Sequence, residues 1–88
     1  MEARADPGPV IPMRFDVYEI KNEIEYPVWR MDAHDAVEAL AKVLAKLMPD
    51  GFKLRGLNRN GGAVTRVENR RDGTIREFAA YPARRPNP

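Results

Sequence analysis

The chain has 88 residues, 43% hydrophobic and 32% charged, with a net charge of +2. These values are those of one small globular domain with a thin core rather than of a disordered chain. It contains no cysteine, which rules out a disulfide framework and any thiolate metal site. No stretch approaches the roughly 20 apolar residues of a membrane span, and the first twelve residues lack a signal-peptide core, so a cytoplasmic location is expected.

The small net charge conceals a division. Residues 1–50 carry six basic against ten acidic side chains, a net of −4, whereas residues 51–88 carry nine against three, a net of +6. Such asymmetry reads as a basic binding face or as complementary ends that meet within or between copies. Alternatively, strands distant in sequence interleave in a sheet and mix the charges.

In chain order, residues 1–11 are expected to be a tail, residues 12–82 a single domain and residues 83–88 a second tail. Met13 opens the patterned part and is an alternative start to Met1. Two strands, MRFDVYEI and IEYPVWRM, flank Lys21-Asn22-Glu23. A three-residue loop there would set Ile20 opposite Ile24, Tyr18 opposite Tyr26 and Phe15 opposite Trp29. Phe15, Val17, Trp29 and Met31 then form the face expected to meet the core, and Tyr18, Ile20, Ile24 and Tyr26 an apolar second face. Pro27 cannot donate to a ladder and marks an edge strand or a bulge.

The span Asp32–Met48 is the one convincing helix. Ala33, Val37, Leu40, Leu44 and Leu47 recur at three- and four-residue spacing, widened by Ala36, Ala41, Val43 and Met48, so one broad stripe faces the core. Asp32 is the expected N-cap, with Asp35 in the first turn, Glu38 and Lys42 paired on the wet face, and Pro49 and Gly51 as the stop.

Three strands follow. FKLRGLN places Phe52 and Leu54 on one side, and Asn60-Gly61-Gly62 is a turn signal leading into AVTRVEN. Arg70-Arg71-Asp72-Gly73 joins that strand to TIREFAAY, a register that sets Glu68 opposite Arg76. The order β-β-α-β-β-β implies an α+β fold, one helix packed on one face of an antiparallel sheet.

No set of residues converges on catalysis. His34 is the only histidine and the chain has no serine or cysteine, so it lacks a nucleophile to serve, and Asp32, His34 and Asp35 are sequence neighbours that cannot close a tetrahedral metal cage. Asp16, Glu19, Glu23 and Glu25 cluster on the first hairpin, where solvated strand charges are the simplest account. Asn60-Gly61-Gly62 lacks the lysine and following helix of a phosphate loop. No cofactor, metal or membrane role is expected.

Two binding functions fit. The first is a non-catalytic accessory domain that uses Tyr18, Ile20, Ile24 and Tyr26 to contact protein, either a second copy or another chain, as a small phage or mobile-element protein would when it blocks a host complex. The second is nucleic-acid binding through Arg55, Arg59, Arg66, Arg70, Arg71 and Arg76, since arginine favours bidentate contact with phosphate. An enzyme is the least favoured reading.

Overall fold

The computed structural model describes residues 13–83. Strands β1 (Met13–Lys21) and β2 (Ile24–Ala33) form a hairpin, α1 (Ala36–Leu47) follows, and β3 (Phe52–Arg59), β4 (Ala63–Asn69) and β5 (Ile75–Pro82) complete an antiparallel five-stranded sheet in the order β2-β1-β5-β4-β3. Apart from Ala83, the expected tails, with Arg4, Arg84 and Arg85, lie outside the described residues. Ala83, the first residue of the expected second tail, donates its N–H to the Arg14 carbonyl at 2.8 Å just past the end of β5.

Phe15 and Val17 of β1, Ala33 of β2, Ala63 and Val67 of β4 and Phe78 and Ala80 of β5 meet Ala36, Ala39, Leu40, Val43 and Leu44 of the helix, with Met48 just beyond it, in one buried cluster. Strand alternation explains why every second residue of β1, β4 and β5 joins it. Val37 and Leu47 sit at its margin. Ala41, expected to widen the stripe, is instead exposed.

The helix begins later than its periodicity suggested. Asp35 is the N-cap, its carboxylate accepting the Glu38 N–H at 2.8 Å, and Glu38 reaches back to accept the His34 N–H. This is a near relative of the capping box, and it holds the Glu38 carboxyl below the usual carboxylate range. Asp32 stays in β2 and bonds Arg14 across the strands at 3.1 Å. Lys42 turns to the Asp32 carbonyl, so the expected Glu38–Lys42 pairing gives way to tertiary partners.

The first hairpin is also tighter than expected. Asn22 and Glu23 both have positive φ, 53° and 66°, making a two-residue loop that sets Lys21 opposite Ile24, Ile20 opposite Glu25 and Glu19 opposite Tyr26. A bulge at Val28 then restores phase, so that Val17 faces Trp29 and Phe15 faces Met31. In the last hairpin Gly73 takes the left-handed position as expected, but Glu68 faces Ile75 and Val67 faces Arg76.

Candidate functional site

The hairpin register divides the four residues read from sequence as one apolar face. Tyr18 and Ile20 point to the open face of the sheet, away from the helix, and are half-buried there around fully buried Ala79. The Tyr18 ring lies 6.1 Å from that of Tyr81, whose hydroxyl donates to Glu25 at 3.0 Å. Burial, then that carboxylate, pushes the Tyr81 phenol up. Ile24 and Tyr26, opposite Lys21 and Glu19, belong to the helix side instead. The cause is the missing third loop residue: a shift of one position sends each side chain to the other face.

On that helix side the sheet is wider than the helix that covers it. Three cross-sheet rows show the consequence. One runs Tyr26–Glu19–Phe78–Thr65–Leu57 and the next Trp29–Val17–Ala80–Ala63–Arg59. In the third, Ile24 faces Lys21 at one edge, and Leu54, Val67 and Arg76 align at the other. The middles of the first two rows are buried, but the row ends are open: Ile24 is 54% exposed, Tyr26 47%, Trp29 42%, Leu54 53% and Leu57 41%. The helix touches only the inner border of this fringe, where the Lys46 ammonium sits 5.6 Å from the centre of the Trp29 ring. Neither Trp29, Leu54 nor Leu57 stood out as a contact residue in the sequence, because periodicity assigns a face without saying which strand lies at an edge.

The arginines do not form one patch. Arg76 is chelated by Glu19, at 2.8 Å and 2.9 Å, on the helix side, and its guanidinium carbon lies 5.1 Å from the centre of the Phe78 ring. Those hydrogen bonds hold the Glu19 carboxyl below its ordinary range. Arg55 pairs with Glu68 at 3.2 Å and Arg71 with Asp50 at 3.7 Å. Arg59, Arg66 and Arg70 have no ion pair among the described residues. Arg66 stands on the open face opposite Glu77, beside a wide-mouthed hollow of about 670 Å³ also lined by Ile20 and Ile75. Acidic and basic groups alternate there and no set of them converges.

The strand order does keep the two halves of the sequence apart. β1 and β2 occupy one side and β3, β4 and β5 the other, so the strands of the two halves do not interleave and their charges meet only at pairs such as Glu19–Arg76 and Asp50–Arg71. Residues 51–83 contribute seven basic against three acidic side chains, and residues 13–50 five against eight. The contrast reaches the rims: β3 carries Lys53, Arg55 and Arg59 with no acid, while β2 and its turn carry Glu23, Glu25 and Asp32 against Arg30.

The hairpin carboxylates are dispersed. Asp16 bonds Arg30 at 2.6 Å on the open face, and Glu19 bonds Arg76 on the other. His34 lies 3.1 Å from Glu38, exposed, as part of the helix cap. Among the described residues no group of three histidine, cysteine, aspartate or glutamate side chains comes together as a metal site, and no helix is long and apolar enough to cross a membrane. Comparison with protein families, curated proteins and solved structures gives no match for this chain.

Proposed function

We propose that this domain is a non-catalytic binding module that acts by protein–protein contact through the edges of its sheet. One observation supports the reading: of seven exposed large hydrophobic side chains among the described residues, five lie on the two edge strands and on the same face. An edge strand also presents unpaired backbone N–H and C=O groups, so apolar fringe and hydrogen-bonding template coincide. Each fringe side chain is already about half covered, so full burial adds on the order of 1 kcal/mol apiece, the scale on which several together give a usable contact.

The rival is nucleic-acid binding by the basic β5–β4–β3 side. It loses Arg76 to Glu19, and the exposed aromatics Tyr26 and Trp29 lie on the opposite, more acidic side, so stacking and phosphate contact are not offered together. A salt titration of binding to duplex and single-stranded DNA probes tests the choice. Protein contact predicts weak association that vanishes near physiological salt, unchanged by Arg59→Ala or Arg66→Ala. A log–log slope near −4 that falls by about 1 with each of these substitutions would overturn it.

A further inference from the structure

The two edges match each other. Four successive antiparallel steps separate β2 from β3, so the two strands run in the same direction with the helix on the same side of both. Repeating the sheet sideways therefore brings β3 of one copy beside β2 of the next as a parallel junction, with no rotation that would move either fringe to the wrong face. The row alignment sets the contacts of that junction. Leu57 meets Tyr26 and Arg59 meets the Trp29 ring, each pair being the two ends of one cross-sheet row. Leu54 meets Ile24 one row further on. On the open face Glu25, whose row ends at Gly56, comes beside Arg55.

Charge points the same way. A β3–β3 contact would oppose Lys53, Arg55 and Arg59 with their own copies, and like charges across a strand pair are destabilising. A β2–β3 contact joins the basic rim to the more acidic one. We infer that the occupant of these edges is a second copy of this chain, joined head to tail through β3 and β2. The inference rests on the protein-contact reading above and names its partner. Such a heterologous contact leaves a free edge at each end and grows into open chains unless its rotation closes a ring. Pro27 withdraws one N–H, and bulges at Val28 and Arg55 interrupt both strands, so the ladder is short and the assembly dissociates on dilution.

Sedimentation velocity on the full chain tests this with two edge-blocked variants. Tyr26→Lys blocks the β2 rim and Leu57→Lys the β3 rim; both positions are exposed in the monomer, and far-ultraviolet circular dichroism with urea unfolding verifies that each variant is folded. The unmodified protein should gain mass with concentration, and the emission of Trp29, the one tryptophan, should move to the blue. Each variant alone should stay monomeric. An equal mixture should reach twice the monomer mass and stop, because it holds one intact β2 and one intact β3. Should a substitution unfold the chain, Trp29→Lys and Leu54→Lys serve in its place. An unmodified protein that stays monomeric up to millimolar concentration overturns the inference. So does a single variant that still dimerises, which would mean symmetric pairing of the intact edge, and so does a mixture that stays monomeric. None of these results touches the protein-contact reading, which falls only to the salt-dependent DNA binding described above.

Discussion

Removing Arg76 should destabilise the fold rather than weaken a ligand. Glu19 is only 8% exposed and accepts two hydrogen bonds from this guanidinium. Breaking a buried ion pair by deleting one partner costs about 3–5 kcal/mol, because the other charge is left desolvated. Here the Arg76 side chain is itself 30% exposed, so water partly screens the pair and the expectation falls to about 2–3 kcal/mol for Arg76→Met. In a domain of this size that lowers the melting temperature by about 10–20 °C. Replacing both partners with leucine should return stability to within about 1 kcal/mol of the starting protein, since well-packed apolar residues substitute for buried pairs at little cost. Urea unfolding followed by circular dichroism at neutral pH measures all of these. The pair also has a pH signature. Glu19 titrates lower in the folded than in the unfolded chain, so its contribution is complete above the ordinary carboxylate pKa of about 4.3 and is lost as pH falls through the lowered folded value. Glu38 and Asp72 are lowered too and add to the acid slope; Glu19→Gln should remove only the part belonging to this pair. If Arg76→Met costs less than about 0.5 kcal/mol, the range of an ordinary surface change, the pair is not structural and Arg76 rejoins the arginines available to a ligand.

Leu44→Ala, at 2% exposure beneath the helix, should cost about 2–5 kcal/mol, whereas Lys42→Ala on the wet side should cost less than about 0.5 kcal/mol; chemical denaturation distinguishes them, and equal small effects would place the wrong face inward. Glu23→Gly should raise the melting temperature by several degrees, because glycine removes the roughly 1 kcal/mol that a side chain costs at a φ of 66°. A fall in melting temperature would mean that Glu23 contributes something its backbone does not reveal. Gly62→Ala should destabilise by more than about 1 kcal/mol, since its new Cβ collides with the Ala80 carbonyl oxygen and the Tyr81 ring; a neutral result in a thermal melt would show that β5 yields at that point.

The sequence by itself determined what depends on near neighbours. The helix stripe of Leu40, Val43 and Leu44, the positions of five strands, the glycine turns at Gly61 and Gly73 and the shared helix-side face of Phe15, Val17, Trp29 and Met31 all follow from spacing along the chain, because a period of 3.6 or 2 is a local property of the backbone. The first hairpin turn lay at the limit of that information. Asn22 favours a positive φ and Glu23 resists one, and the ladder between β1 and β2 decides by holding both there, which shifts the register and divides Tyr18 and Ile20 from Ile24 and Tyr26. Asp35 takes over the cap because Asp32 remains committed to β2 opposite Arg14, a long-range pairing invisible to helical periodicity. The order of the strands belonged wholly to tertiary structure. Pairing β1 with β5 across more than fifty residues makes β2 and β3 the two edges, puts the acidic and basic rims at opposite ends of the sheet, and leaves Trp29, Leu54 and Leu57 at the rims. Periodicity specifies which way a side chain points; only the strands placed beside it decide whether anything covers it.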